Sequence, residues 1–293
     1  MAGPAPSDGT PTVETLFREA AGRAFYKLCG SGNDFVFLDG FHAPIGALGS
    51  AEAIRALCAR ATGIGADGVV LLEPPGAEGD GAAFRMRYHN SDGSRATLCG
   101  NAALCATRLA VELGIADPRG FAFDTDAGRI AARMRGDLPE IDLQPVTGLV
   151  ADAGIAPTAG EARIGFATAG VPHLVVRVDD VAVVDLPRRG RELRHDPSLA
   201  DGANVNFVSP VAGGWRMRTY ERGVEGETLA CGTGAVACAA ILDAWGAASG
   251  DETTIVTSSG RPLHVRRSAD EGRGPALAGE GRLVFRGVVA ELV

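Results

Sequence analysis

The chain repeats one stretch of its own sequence. The first copy, "FRMRYHNSDGSRATLCGNAALC", begins at Phe84, and the second, "WRMRTYERGVEGETLACGTGAVAC", begins at Trp215. Each copy opens with an apolar and charged alternation of period two, which is typical of a half-buried strand. A polar loop with glycine follows, and then a small-residue run typical of a helix. The repeat predicts two related halves, each a strand, a loop and a helix that begins at a cysteine, Cys99 or Cys231.

Other parts of the chain have the composition of strands and helices. Runs rich in β-branched and aromatic residues predict strands at 35–39, 69–73, 173–178, 204–208 and 282–289. Helices are predicted near 50–61, 101–113 and 233–246. The stretch 143–162, which contains Pro and Gly, is the best position for a domain boundary. We therefore expect a two-domain α/β protein with its site between the halves.

The composition excludes several classes of function. A formal net charge of −8 over 293 residues argues against nucleic acid or an anionic membrane as the main partner. No apolar run reaches the roughly 18 residues of a membrane span. The tail at 1–23 lacks both the basic region and the apolar region of a secretory signal. We expect this tail to be flexible. We therefore predict a cytoplasmic protein whose six cysteines stay reduced.

A cysteine at a helix start has two chemical advantages. The helix N terminus lowers the pKa of a thiol, and its unpaired N–H groups bind anions such as a carboxylate. Gly100 and Gly232, which follow the two cysteines, let the backbone approach a ligand closely. Two such units face to face would hold a carboxylate between them, with one thiol on each side of its α-carbon.

That arrangement suits inversion of an α-carbon. One thiolate removes the α-proton from one face, and the opposite thiol delivers a proton to the other face. Fixed N–H donors would stabilise the negative charge that spreads onto the carboxylate. We therefore expect neither a metal nor a pyridoxal cofactor.

Other interpretations of the cysteines are open. A buried cysteine is commonly a small core residue, and we interpret Cys58, Cys105 and Cys238 in this way. The duplicated loop favours chemistry for the other pair. The intervals Cys-x5-Cys and Cys-x6-Cys do not resemble structural zinc sites. A cysteine hydrolase with His173 as its base would leave the second Cys-Gly loop unexplained.

Short motifs along the chain resemble the diaminopimelate epimerase family. They are "GSGNDF" (30–35), "GIGADG" (63–68), "NSDGS" (90–94), "CGN" (99–101), "PH" (172–173), "NV" (204–205), "ERGVEGET" (221–228) and "ACGTGAVA" (230–237). The matches run in family order from about residue 24 to the C terminus. The resemblance implies a cofactor-independent epimerase that interconverts L,L- and meso-diaminopimelate for lysine and peptidoglycan synthesis, and a homodimer.

The resemblance also implies a fold. It is an α/β (α+β) fold with two pseudo-symmetric domains, each a mainly antiparallel sheet wrapped around a central helix. The domains are expected at 24–145 and 146–280, and a closing strand from about 281–293 returns to the first domain.

The family's site residues carry over onto matching positions. Cys99 and Cys231 become the base and acid pair, while His173 and Glu221 tune the pKa values of the thiols. The residues expected to contact the substrate are Asn33, Asn90, Gly100, Asn101, Asn204, Glu221, Arg222, Gly232 and Thr233. From the residues alone, simpler roles stay open. Asn33, Asn90 and Asn204 also fit turn or cap positions. Glu221 and Arg222 also fit a surface ion pair, and His173 fits a core histidine.

Several positions depart from the family pattern. Val171 stands where the family often has Asn, which leaves the distal end of the substrate without an expected amide. Ala102 and Leu104 replace a Gly and an Arg, Cys29 replaces a His, and Gly68 stands where a Gln is sometimes found. Two alternatives therefore stay open: a two-cysteine racemase of another amino acid, and a non-catalytic redox-sensing thiol protein. Which cysteine serves which stereoisomer also stays open.

Overall fold

The computed structural model describes residues 20–76, 81–268, 270 and 272–290. Most of the tail predicted at 1–23 lies outside the described residues. None of the helices in the described part is both long and apolar enough to cross a membrane.

The first half of the chain is a mixed sheet of eight strands. They are β1 (Arg23–Gly30), β2 (Asn33–Asp39), β3 (Gly68–Glu73), β4 (Ala82–Asn90), β5 (Arg95–Ala96), β6 (Phe121–Thr125), β7 (Gly128–Arg135) and β8 (Leu138–Asp142). The pairs β2–β3 and β4–β6 are parallel. The pairs β1–β2, β3–β4, β4–β5, β6–β7 and β7–β8 are antiparallel.

The second half repeats this order of pairing. Its strands are β9 (Thr147–Val150), β10 (Glu161–Ala169), β11 (Val171–Val178), β12 (Asn204–Val211), β13 (Gly214–Glu221), β14 (Gly226–Thr228), β15 (Glu252–Val256), β16 (Pro262–Arg266), β17 (Ala276–Gly279) and β18 (Arg282–Val289). The pairs β11–β12 and β13–β15 are parallel, at the places of β2–β3 and β4–β6. The pairs β10–β11, β12–β13, β13–β14, β15–β16 and β16–β17 are antiparallel.

The two halves join through their last strands. β8 and β17 pair antiparallel, with Ile141 opposite Leu277. β18 returns to the first half and pairs antiparallel with β1, and β9 occupies the equivalent place beside β10. The strand predicted at 282–289 is thus found at Arg282–Val289.

Four α-helices lie in the described residues: α1 (Ala51–Cys58), α2 (Gly100–Glu112), α3 (Leu186–Arg194) and α4 (Gly232–Ala244). The helices predicted near 101–113 and 233–246 are confirmed as α2 and α4, and the one near 50–61 as the shorter α1. α3 was not predicted. Pro187 at its start and Gly190 in its interior are poor helix formers.

The central helices α2 and α4 lie in one apolar core that both halves share. Their small residues let strands approach on every side, as a helix buried all round requires. At Gly165 on β10, a Cβ atom would lie only 2.8 Å from Cγ2 of Ile241 on α4. The half-buried strands predicted from the period-two alternation are confirmed in β4 and β13. Their buried faces carry Phe84, Met86, Tyr88, Trp215, Met217 and Thr219. The structure confirms the α/β (α+β) fold of two pseudo-symmetric halves, each a mainly antiparallel sheet around a central helix.

Candidate active site

The first residues of α2 and α4 face each other at the centre of the molecule. A Cβ atom on Gly232 would lie 3.6 Å from Cα of Gly100, and one on Gly100 would lie 3.8 Å from Cα of Gly232. Leu277 of β17 lies under both helix starts. Cys99 and Cys231 occupy the N-cap positions with nearly the same backbone angles, φ −131° and ψ 120° against φ −131° and ψ 108°. Both cysteines are free thiols.

Cys231 lies in a buried pocket of its own helix turn. Its Sγ accepts a hydrogen bond from the N–H of Gly234 at 3.4 Å and lies 3.6 Å from Oγ1 of Thr233. Burial, together with the nearby Glu221 carboxylate, raises the pKa of the Cys231 thiol to about 12. The Thr233 hydroxyl and the Gly234 N–H act in the opposite direction.

Cys99 is half-buried and has the same balance. Burial, together with the charges of Glu221 and Asp67, raises the pKa of its thiol to about 11. The N–H groups of Ala102 and Asn101 lower it. The first-turn N–H groups therefore lower the thiol pKa values as expected, but burial raises them by more, and the expected net lowering is wrong. The free energy needed to remove a thiolate from water is larger here than the stabilisation that the N–H groups of the first turn provide.

His173 on β11 is fully buried beside α4. Asn206 donates from Nδ2 to the carbonyl oxygen of Leu174 at 3.0 Å, and its Oδ1 accepts from the Thr219 hydroxyl at 2.9 Å. Nδ2 of Asn206 therefore faces Nδ1 of His173, at 3.2 Å, as a donor. This places the imidazole proton on Nε2, which has no partner among the described residues.

The charge state of His173 follows from its surroundings. Burial, together with the positive charge of Arg222, lowers the pKa of the imidazole to about 3. His173 is therefore a neutral donor at physiological pH. Asn206 also lies against the turn that holds Cys231, since a Cβ atom on Gly234 would lie 2.5 Å from Oδ1 of Asn206.

Glu221 and Arg222 close the site from the end of β13. Oε2 of Glu221 accepts a hydrogen bond from the Thr228 hydroxyl at 2.7 Å, and burial raises the pKa of this carboxyl group. Oδ1 of Asn204 accepts from the backbone N–H of Arg222 at 2.7 Å. The Arg222 side chain donates to the carbonyl oxygen of Asp201 at 3.3 Å, and no carboxylate pairs with it in the described part of the chain. Its guanidinium is therefore available to a ligand carboxylate.

The remaining asparagines differ from one another. Asn101 donates from Nδ2 to Oδ1 of Asn33 at 2.7 Å, so these two side chains lie together at the start of α2. Asn90 instead donates from Nδ2 to the Ser94 hydroxyl at 3.0 Å within its own turn. No hydrogen bond in the described residues joins Asn90 to the other candidate residues.

Val171 lies beside the start of α4. The turn before it contains Gly170 with φ +72°, and a Cβ atom there would lie 4.0 Å from Cγ2 of Thr233. The half-buried Val171 side chain brings no hydrogen-bonding group to this position.

Sequence reasoning missed four residues that shape the site: Asp67, Tyr88, Asn206 and Thr228. Asp67 and Thr228 lie within the quoted motifs "GIGADG" and "ERGVEGET", which was the available signal. Tyr88 and Asn206 read only as strand residues. The ring of Tyr88 lies against Gly68, where a Cβ atom would be 2.6 Å from its Cε2. In the described residues, no cluster of three His, Cys, Asp or Glu side chains could hold a metal ion.

The comparisons with known proteins decide the family. The family model for diaminopimelate epimerase matches residues 25–147 and 165–280. The diaminopimelate epimerase of Gemmatimonas aurantiaca is 52% identical over 280 residues, covering 92% of this chain and 100% of that protein. The chain belongs to the diaminopimelate epimerase family. The diaminopimelate epimerase of Aquifex aeolicus is 39% identical over 279 residues, covering 92% of this chain and 98% of that protein.

Solved structures of other enzymes share the fold of this diaminopimelate epimerase family member. A probable proline racemase from Agrobacterium radiobacter matches with a TM-score of 0.68 and 21% identity, covering 92% of this chain and 93% of that chain. A hydroxyproline epimerase from Agrobacterium vitis matches with a TM-score of 0.65 and 20% identity, covering 92% of each chain. Together with the family, these likenesses place the protein among isomerases that act on amino acids.

Proposed function

We propose that the protein interconverts L,L- and meso-diaminopimelate by proton transfer between Cys99 and Cys231, without a cofactor. The observation that carries this proposal is the meeting of two helix starts, each with a cysteine at its N-cap and a glycine at its first residue. A carboxylate between the helix starts would have a thiol on each side of its α-carbon. The coverage of diaminopimelate epimerases over nearly their whole length supports the choice of substrate.

The helix-end N–H groups then stabilise the reaction intermediate. As the α-carbon loses its proton, the electron pair of the C–H bond moves onto the carboxylate. The backbone N–H groups of Gly100, Asn101, Gly232 and Thr233 lie in the first turns of the two helices, where an N–H group has no carbonyl oxygen of its own helix to donate to. In a site closed to water, donors fixed in this way act strongly on the developing charge.

The proton transfers are symmetrical in their chemistry. The thiolate of one cysteine takes the α-proton, so an S–H bond forms as the C–H bond breaks. The thiol of the other cysteine gives its proton to the opposite face, so a C–H bond forms and the second sulfur becomes the thiolate. The reverse reaction begins from that second state.

Substrate binding favours formation of a thiolate. The Glu221 carboxylate raises the pKa values of both thiols. An amino-acid ammonium group beside Glu221 cancels that charge and makes a thiolate easier to form. The protein thus holds its thiols protonated and unreactive until the substrate arrives.

The far end of the substrate meets the second half. We assign the distal carboxylate to the Arg222 guanidinium, a planar donor that fits a carboxylate with two parallel hydrogen bonds. Asn33, Asn90 and Asn204 supply further polar contacts. Because Val171 contributes no amide, recognition of the distal end depends more heavily on Arg222.

We also propose that the enzyme is a cytoplasmic homodimer of the lysine and peptidoglycan precursor pathway. In the described residues β18 pairs with a neighbour on one edge only, that of β1. Three apolar side chains on it, Val284, Phe285 and Val288, are exposed. A second copy of the chain would cover this apolar strand.

The experiment is α-deuterium incorporation. The reduced protein is incubated with L,L-diaminopimelate in deuterated water, with a Cys99→Ser/Cys231→Ser double variant as control. We expect deuterium at the α-carbon and formation of the meso isomer with the wild type only. Exchange into proline or another amino acid but not diaminopimelate would favour a different two-cysteine racemase. No exchange with any amino acid, together with a reversible disulfide, would favour a redox-sensing thiol protein.

A further inference from the structure

A chain of amide hydrogen bonds leads from the protein surface to the start of α2. Nδ2 of Asn101 donates to Oδ1 of Asn33 at 2.7 Å, and Nδ2 of Asn33 donates to Oδ2 of Asp67 at 3.0 Å. Asp67 in turn pairs with Arg60, 2.6 Å from its Oδ1. Arg60 also pairs with Asp34 at 2.9 Å, which anchors the outer end of the chain.

The carboxylate at the outer end fixes the direction of both amides. An ionised carboxylate only accepts hydrogen bonds, so Asn33 must turn its NH₂ group toward Asp67. The side-chain oxygen of Asn33 then faces Asn101, so Asn101 donates to it from its own NH₂ group. The oxygen of the Asn101 amide is therefore the end of the chain that points away from Asn33.

Oδ1 of Asn101 is buried and has no hydrogen-bond partner among the described residues. Asn101 is 2% exposed, and its Oδ1 has no hydrogen-bond partner in the described residues. It lies at the junction of the two helix starts, 3.7 Å from the position of a Cβ atom on Gly232. An unpaired acceptor at such a site is costly unless a ligand donates to it.

The charged groups of an amino acid differ in which of them can donate a hydrogen bond to Oδ1 of Asn101. The α-carboxylate can only accept, and the helix-end N–H groups already serve it. The α-ammonium can only donate, and it is attached to the same carbon.

We propose that Asp67 is a positioning residue, which orients the Asn101 amide so that its Oδ1 accepts a hydrogen bond from the α-ammonium of the bound amino acid. This inference rests on the proposed function of the site. The N–H groups of the helix starts and the Asn101 oxygen then recognise the two charged groups of one zwitterion separately.

The second half has no such chain. The strand register equates Asp67 with Ala203 and Asn33 with Val171, and the helix position of Asn101 is taken by Thr233. The acceptor proposed for the α-ammonium, Oδ1 of Asn101, therefore comes from the first half. The rest of the substrate extends toward the second half, where Arg222 lies.

The test compares Asp67→Asn with Arg60→Gln. Asp67→Asn keeps the shape but can donate, so the amides lose their fixed direction. Arg60→Gln breaks the same ion pair but leaves the accepting carboxylate. We expect Asp67→Asn to raise KM for diaminopimelate about tenfold, the effect of one charge-assisted hydrogen bond, with kcat changed less than threefold. Arg60→Gln should leave KM within twofold of the wild type.

A second ligand separates orientation from general damage. Pimelate keeps both carboxylates but has no ammonium group at either end, so it has no donor for Oδ1 of Asn101. Its inhibition constant should be the same within twofold in Asp67→Asn and the wild type. Equal rises of KM in both variants, or an equal loss of affinity for both ligands, would overturn the inference.

If Asp67→Asn fails to fold because Arg60 loses a partner, the double variant Asp67→Asn/Arg60→Gln removes both charges. We expect it to show the same tenfold rise, and a KM within twofold of the wild type would overturn the inference. Absence of α-deuterium exchange in the wild type would instead remove the proposed function itself.

Discussion

The two halves of the molecule share a backbone plan but surround their cysteines with different side chains. Register and the duplicated sequence place Phe35, Val70 and Tyr88 in the first half at the positions of His173, Asn206 and Thr219 in the second. In the first half, Phe35 and Tyr88 pack edge to face at 6.0 Å. In the second half, the three polar side chains form one hydrogen-bonded chain.

The comparison shows which features the two halves have kept in common and which side chains have diverged. The helix starts, the N-capping cysteines and the facing glycines are the parts that both halves need to hold a carboxylate. The side chains beneath them are free to diverge, because one thiol serves each face of the α-carbon. The result is a site symmetrical in its backbone and asymmetrical in its electrostatics.

The largest expected effect separates the two thiols. Cys99→Ala and Cys231→Ala should each lower kcat for epimerisation by about 10³-fold or more, because each removes one proton carrier. Each variant should still exchange the α-proton of the isomer that faces its remaining thiol. Deuterium incorporation, measured separately from L,L- and meso-diaminopimelate, would then assign one cysteine to each isomer.

The two variants act as controls for each other. Loss of exchange from both isomers in both variants would contradict independent roles for the thiols. It would mean that proton removal at one face requires the intact thiol at the other.

The next effect concerns the polar layer. Asn206→Val gives the second half the residue of the first and leaves Nδ1 of His173 and the carbonyl oxygen of Leu174 unpaired. We expect the free energy of unfolding to fall by about 1–3 kcal/mol, and kcat/KM to fall about tenfold as the imidazole loses its fixed tautomer. Urea denaturation and steady-state kinetics measure the two effects.

Val70→Ala, at the matching position of the first half, is the control for lost packing. It should destabilise the fold without a comparable fall in kcat/KM. If both variants lower kcat/KM equally, the hydrogen bond from Asn206 has no special part in the site.

Sequence predicted the parts of this comparison that repeat. The cysteines and small residues that begin α2 and α4 are local signals, and they located both helices within two residues. The sequence did not predict α3, because this helix depends on tertiary contacts and not on a local pattern. Gly190 is required there by Tyr220, whose Cβ would lie 2.6 Å from an added Cβ atom.

The candidate site divides in the same way. Motif residues such as Cys99 and Glu221 were identified from their neighbours in sequence. The direction of the Asn101 amide depends on Asp67, which is distant in sequence, and no local pattern encodes it. The thiol pKa values were predicted with the wrong sign because burial is a property of the whole fold.

The last effect tests that corrected sign. With thiol pKa values raised to about 11 for Cys99 and about 12 for Cys231, both groups are protonated at pH 7. Alkylation by iodoacetamide should therefore be slow at pH 7 and accelerate about tenfold per pH unit up to about pH 10, since only the thiolate reacts. Cys99, half-buried and with the lower value, should react first, as mass spectrometry of the modified peptides would show.

Glu221→Gln sharpens the same measurement. Loss of this carboxylate removes a charge that raises both pKa values, so alkylation at a fixed pH should become severalfold faster at both cysteines. Glu227→Gln is the matched control, because Glu227 lies on β14, the strand paired with β13, but forms an ion pair with Arg218 at 2.7 Å. A rate that levels off below pH 8, or equal acceleration by both variants, would show that the helix starts outweigh burial and that Glu221 does not hold the thiols protonated.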